Sequence, residues 1–154
     1  MKRHMTLALL FGSLMLLAAL PAAAQHTCNG AAAGIVGTTG PDSLNGTGGG
    51  DVIQARAGND TVNGGAGNDT VCGGPDNDTV SGDSGSDFVN GGSGNDFVRG
   101  GADNDTVNGN SGFNTVWGDS GIDTCTGGSS YAACELPFCQ FNPTSCICDN
   151  SCRK

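Results

Sequence analysis

The chain has 154 residues, 28 of them glycine, and carries 15 acidic against 6 basic side chains for a net charge of −9. Such a surface repels nucleic acid and anionic bilayers and attracts multivalent cations. Glycine at this level without a three-residue period excludes collagen and, on composition alone, points to disorder.

The order of the residues overturns that compositional reading. Residues 1–24 read as a secretory signal peptide. Lys2, Arg3 and His4 form a basic start, and Leu7 to Leu20 is an uncharged apolar run too short to span a bilayer comfortably. Ala22, Ala23 and Ala24 then offer an A-x-A cleavage site before Gln25. Cleavage leaves Arg56, Arg99, Arg153 and Lys154 against fifteen acids, a net charge of −11. The expected destination is outside the cell, extracellular or periplasmic, with no insertion into a membrane. Residues 25–41 form a lead-in segment too short for a catalytic domain.

Residues 42–131 repeat a nine-residue unit. Clear copies are Asp60-Thr61-Val62-Asn63-Gly64-Gly65-Ala66-Gly67-Asn68 and Asp87-Phe88-Val89-Asn90-Gly91-Gly92-Ser93-Gly94-Asn95. The aspartate recurs at Asp42, Asp51, Asp60, Asp69, Asp78, Asp87, Asp96, Asp105 and Asp123, and Asn114 interrupts the series. One apolar residue per unit lies two positions later, at Leu44, Ile53, Val62, Val71, Val80, Val89, Val98, Val107 and Val116, and finally Cys125. Neighbours along a strand face opposite sides, so each central residue points inward from a short strand such as Thr61-Val62-Asn63. A six-residue turn, Gly64 to Asp69, follows. Two units complete one coil, and two thin parallel sheets enclose a single file of Val-type side chains. Where a turn glycine is missing, Asp76, Asp83, Asp103, Asn110 or Asp119 replaces it, residue types that tolerate positive φ. These five read as turn residues rather than as metal ligands.

Residues 132–154 lack the repeat and read as a disulfide-rich cap. The eight cysteines are Cys28, Cys72, Cys125, Cys134, Cys139, Cys146, Cys148 and Cys152. An even count behind a signal peptide indicates disulfides, and the tail has no C-x-x-C knuckle for zinc. Cys125 and Cys134 are one repeat apart on the inward phase and are expected to pair. Phe113, Ile122 and Tyr131 replace the usual polar residue before the aspartate position. They are expected to lie beneath a tail that folds back with Leu136, Phe138 and Phe141.

Cut at its glycines, the unit reads Gly-Gly-x-Gly-x-Asp-x-apolar-x. In this the chain resembles the RTX, or haemolysin-type, calcium-binding repeat family, from Asp42 to Tyr131 with a degenerate extra unit around Ile35. The resemblance implies an all-β, right-handed parallel β-roll (a β-solenoid) that binds Ca²⁺. Its typical exported members differ in having a C-terminal, cysteine-free secretion signal.

The spacing carries the same chemistry. Residues 18 apart stack in adjacent coils at ~4.8 Å, and two calcium–oxygen bonds of ~2.4 Å span that gap. One stack runs Asp42, Asp60, Asp78, Asp96 and Asn114; the other runs Asp51, Asp69, Asp87, Asp105 and Asp123. Up to about seven sites between two carboxylates follow, completed by turn carbonyls, an oxygen-only donor set that suits Ca²⁺ better than Mg²⁺. Asn114 keeps an oxygen ligand without a charge and is expected to make the weakest site.

Catalysis is not expected. Gly82-Asp83-Ser84-Gly85 and Gly118-Asp119-Ser120-Gly121 resemble a serine protease nucleophile segment, but both fall in phase with the repeat. Beyond the signal, His26 is the one histidine, and a triad needs one beside its serine. The chain reads as a secreted calcium-binding repeat protein that folds on metal binding, with a structural or adhesive role. The alternative is a Ca²⁺-dependent surface module that binds ice or a partner. It rests on outward rows of Thr61, Thr79 and Thr115 and of Thr70, Thr106 and Thr124, which Phe97 and Phe88 interrupt, with Trp117 also outward.

Overall fold

The computed structural model describes residues 26–127, 130–131 and 146–149. The chain starts with an antiparallel hairpin of Thr27–Cys28 (β1) and Ala31–Ala32 (β2). Short strands follow at Ile35–Val36 (β3), Ser43–Asn45 (β4) and Val52–Gln54 (β5). Then come Thr61–Ala66 (β6), Thr70–Pro75 (β7), Thr79–Ser84 (β8) and Phe88–Ser93 (β9). Phe97–Ala102 (β10), Thr106–Ser111 (β11), Thr115–Ser120 (β12) and Ile122–Thr126 (β13) continue the series. Ser130–Tyr131 (β14) and Cys146–Asp149 (β15) complete the described strands.

Alternate strands build opposite walls. The even strands from β4 to β14 form a six-stranded sheet, and the odd strands from β3 to β15 form a seven-stranded one. Within each wall the strands from β3 to β13 pair in parallel at an 18-residue offset, as in Val62↔Val80 and Val71↔Val89. β14 pairs with β12 at a shorter offset, which sets Tyr131 opposite Val116 rather than before an aspartate position. The result is an all-β parallel solenoid of about five turns. Ile53, Ala55, the seven valines from Val62 to Val116 and Cys125 form its buried core. Ile35 and Leu44 pack against the first coils, so the solenoid begins half a coil before Asp42.

The strands are longer than the three residues expected. From β6 to β12 each has six, because the glycine pair continues the ladder. Gly65 pairs with Asp83 and Ala66 with Ser84, while the register skips Gly64 and Gly82, where the chain bends around the core. The bend requires positive φ at Gly65 (104°). The expected stand-ins adopt it too: Asp76 (81°), Asp83 (82°), Asp103 (76°), Asn110 (57°) and Asp119 (69°). Arg56 does the same at 82°, a position that residue type did not reveal.

Both ends differ from a bare repeat. The β1–β2 hairpin is tied to the outer side of β7 by a Cys28–Cys72 disulfide with a Cα–Cα distance of 5.7 Å. At the other end, β15 lies antiparallel along β13, with Ile122 opposite Asp149 and Cys125 opposite Cys146. That strand covers a sheet edge whose backbone groups would otherwise be open. Phe113 and Ile122, expected beneath the tail, are 81% and 55% exposed. They sit on the outer turns, whereas the tail strand joins the sheet through its backbone. Cys125 is buried with a free thiol, which burial pushes up to about 12. Its expected partner Cys134, together with Leu136, Phe138 and Phe141, lies outside the described residues.

Candidate metal centre

Each aspartate of the repeat stands at a corner, just before a strand. There Asp60, Asp69, Asp78, Asp87, Asp96, Asp105 and Asp123 are at most 3% exposed. The corner has backbone N–H groups that no ladder satisfies, and the aspartate meets one of them. Oδ1 of Asp78 accepts the N–H of Asp60 at 2.8 Å, and Oδ1 of Asp87 accepts that of Asp69 at 2.8 Å. The same bond links Asp96 to Asp78, Asp105 to Asp87 and Asp123 to Asp105. Each aspartate thus reaches back one coil.

The preceding asparagine reaches forward. Asn59 Oδ1 accepts the N–H of Asn77 at 3.0 Å, Asn77 that of Asn95 at 2.7 Å, and Asn95 that of Phe113 at 2.9 Å. On the opposite edge Asn68 accepts from Ser86 and Asn104 from Ile122. The signature of this second ladder in the sequence is the recurrent Asn-Asp pair, whose spacing alone does not show which donor the asparagine meets. Phe113 and Ile122 have no side-chain oxygen, so each ladder stops at them.

The second carboxylate oxygen has no such partner. Oδ2 of Asp60, Asp69, Asp78, Asp87, Asp96, Asp105 and Asp123 is buried without a hydrogen-bond donor. Six of these oxygens, all but that of Asp60, lie against the glycine that opens the preceding bend; before Asp60 the same position holds the buried Ala55. A Cβ built on Gly64 would fall 2.6 Å from Asp69 Oδ2 and 2.6 Å from the carbonyl oxygen of Gly82. Glycine therefore leaves a cradle lined by a carboxylate and a backbone carbonyl. Among the described residues no three His, Cys, Asp or Glu side chains converge, so a cation here would draw on carbonyls as well as on a carboxylate. Each such corner brings a carboxylate oxygen, a backbone N–H and a bend carbonyl together.

Burial is the main electrostatic consequence. It raises Asp78 and Asp105 to about 7 and Asp87 to about 6, with neighbouring carboxylates adding a smaller push and the backbone N–H opposing it. Asp60, Asp69, Asp96 and Asp123 are raised by the same burial. A buried anion surrounded by acceptors demands a proton or a cation. Oxygen-only donors around a small cradle fit Ca²⁺.

The ends of the stacks are different. Asp42 and Asp51, the first of each stack, are only part-buried. Oδ2 of Asp42 accepts from the N–H (2.6 Å) and Oγ1 (3.0 Å) of Thr38, and Oδ2 of Asp51 from the N–H (2.7 Å) and Oγ1 (2.8 Å) of Thr47. Asn114 departs further from expectation. Its Oδ1 is taken by the N–H of Asp96 at 2.9 Å, and its Nδ2 donates to the carbonyls of Gly109 at 2.8 Å and Gly127 at 2.9 Å. It offers a nitrogen, not a spare oxygen, to the corner.

The outer faces hold no uninterrupted threonine row. Phe97 is flanked in register by Thr79 and Thr115 and meets Trp117 edge-on at 5.3 Å between ring centroids. Arg99 lies 5.7 Å from the Trp117 ring and pairs with Asp119 at 2.8 Å. The two Gly-Asp-Ser-Gly segments sit at the far ends of β8 and β12, with their aspartates in the left-handed turn conformation.

A family model described as the RTX calcium-binding nonapeptide repeat (four copies) matches residues 36–71, 72–107 and 99–130. No curated protein and no solved structure gives a significant match.

Proposed function

We propose that this chain, which belongs to the RTX calcium-binding nonapeptide repeat family, takes up several Ca²⁺ ions in the corners of its solenoid and folds as it does so. The observation that carries this reading is the set of buried Oδ2 atoms without donors in Asp60, Asp69, Asp78, Asp87, Asp96, Asp105 and Asp123. These residues would hold the ions, up to about seven, together with bend carbonyls such as that of Gly82. Asp42 and Asp51 would contribute less, since Thr38 and Thr47 already serve their second oxygens. Calcium would neutralise the carboxylates and accept the lone pairs that no donor meets. The protein's part is to bury each carboxylate, fix one oxygen on a backbone N–H and hold the other in the cradle.

The reading extends to location and role. Residues 1–24 are a signal peptide, 25–41 an N-terminal segment, 42–131 a right-handed β-roll and 132–154 a cysteine-rich cap. The basic start, the apolar run and the Ala-rich cleavage site support export. The Cys28–Cys72 bridge suits an oxidising compartment. Outside the cell the chain serves as a non-catalytic structural or adhesive element. Among the described residues no helix is long and apolar enough to cross a membrane.

Far-ultraviolet circular dichroism of the secreted, disulfide-intact chain during a calcium titration tests the reading. A cooperative gain of β signal is expected near 10⁻⁴–10⁻³ M, the range of extracellular calcium modules. Identical spectra in chelator and in excess calcium would refute coupled binding and folding.

A further inference from the structure

We propose that Asn114 is a built-in substitute for calcium: its side-chain amide fills the oxygen cradle of its own turn, which closes without a cation. The proposal rests on the calcium reading of the aspartate turns.

Comparison of the two kinds of corner carries it. A Cβ built on Gly109 would fall 2.6 Å from the Gly127 carbonyl and 2.9 Å from Asn114 Nδ2. The equivalent Cβ on Gly64 meets the Gly82 carbonyl and Asp69 Oδ2, both at 2.6 Å. Asn114 Nδ2 therefore stands where each aspartate places its orphaned oxygen. An aspartate there adds a third acceptor to a cradle of acceptors, and only an added cation or proton relieves it. An amide adds two N–H donors, and both are used, on Gly109 and Gly127.

The side chain's orientation is forced by its partners. Oδ1 receives the N–H of Asp96, itself a donor, while Nδ2 faces two carbonyls. The reverse orientation would set N–H against N–H and oxygen against two oxygens. With Asn114 only 1% exposed, no water completes a different arrangement from outside. The residue is thus fully committed to protein partners, and a cation would have to break two hydrogen bonds, one buried and one part-buried, to enter. One stack of the solenoid is accordingly terminated by protein chemistry, while the turns before it at Asp78 and Asp96 keep open glycine cradles.

Calcium counting by equilibrium dialysis tests the idea on the full secreted chain with its disulfides intact. Asn114→Asp should bind one more ion per chain than wild type, and Asp78→Asn, whose new amide can fill the cradle of Gly73 and Gly91, should bind one fewer while staying folded. An unchanged count in Asn114→Asp with tighter binding would mean that Asn114 already ligates calcium, and would overturn the proposal. Nuclear magnetic resonance of the wild-type Asn side chains supplies a readout independent of occupancy. One amide pair, lost in Asn114→Asp, should resist hydrogen exchange with and without added calcium wherever the coil is folded. Free exchange of that pair in the calcium-loaded protein would also overturn it. If the wild type binds no calcium while the pair is protected, the calcium reading fails and the amide closure stands.

Discussion

Asp78 reaches back one coil to Asp60, its Oδ1 accepting the Asp60 backbone N–H at 2.8 Å, and leaves its other oxygen buried without a donor. One carboxylate therefore has two tasks. The first oxygen holds adjacent coils in register, and the second asks for a cation.

Removing both tasks should cost more than removing one. Asp78→Ala strips the Asp60 N–H of its acceptor and should destabilise the calcium-loaded protein by about 1–3 kcal/mol from that group alone. Asp78→Asn keeps the acceptor and should raise, not lower, the stability of the calcium-free chain. Denaturant melts of both variants in calcium and in chelator check the order. Equal behaviour of the two variants would show that the backbone bond is unimportant.

The calcium-free fold should prefer acid. Asp78 and Asp105 are raised to about 7 and Asp87 to about 6, above the ordinary value of 3.8. The folded state then holds more protons than the unfolded one, so stability falls as pH rises from about 4 through about 7. In chelator, β signal should be greater at pH 5 than at pH 8. Calcium reverses the preference, because protons compete for the same oxygens, and the calcium midpoint should rise as pH falls below about 7. A calcium-free fold that strengthens with rising pH would contradict the burial of these carboxylates.

Filling one cradle should act on metal and fold together. Gly64→Ala places a methyl 2.6 Å from Asp69 Oδ2 and from the Gly82 carbonyl, which forces backbone to move. A loss of about 1–3 kcal/mol is expected, along with one ion. Gly49→Ala is the control, since a Cβ there meets nothing within 4 Å. Thermal melts and calcium counts on the two variants give the comparison, and matching losses would remove the special role of Gly64.

The Cys28–Cys72 bridge should protect one end. It closes a loop of 44 residues' separation, and a loop of this size stabilises by about 4 kcal/mol. In a solenoid each coil touches only its neighbours, so the loss in a Cys28→Ser, Cys72→Ser variant should concentrate in β5 to β7. Hydrogen exchange resolved by peptide is the measurement. Uniform loss of protection from β5 to β13 would indicate one indivisible cooperative unit instead.

The nine-residue period by itself determined the two-walled solenoid, the inward file from Ile53 to Cys125 and the left-handed turn positions at Asp76, Asp83, Asp103, Asn110 and Asp119. These follow from local rules, the alternation of Cβ along a strand and the steric freedom of φ, which act between residues close in sequence. The same period also put the aspartates of one edge 18 residues apart. It did not say which way their side chains reach or which oxygen is left over. That depends on the direction of N–H and C=O groups one coil away, and only the stacked coils supply it. The back-reaching Asp78 and forward-reaching Asn77 are adjacent residues of similar shape, yet each meets a different donor. Asn114 resembled a weak ligand in the sequence because an amide and a carboxylate share an oxygen. Tertiary structure reversed its role by setting Gly109 and Gly127 carbonyls against the nitrogen. The partner of Cys28 and the antiparallel strand along β13 likewise arise at the ends of the repeat, where no period remains to extrapolate.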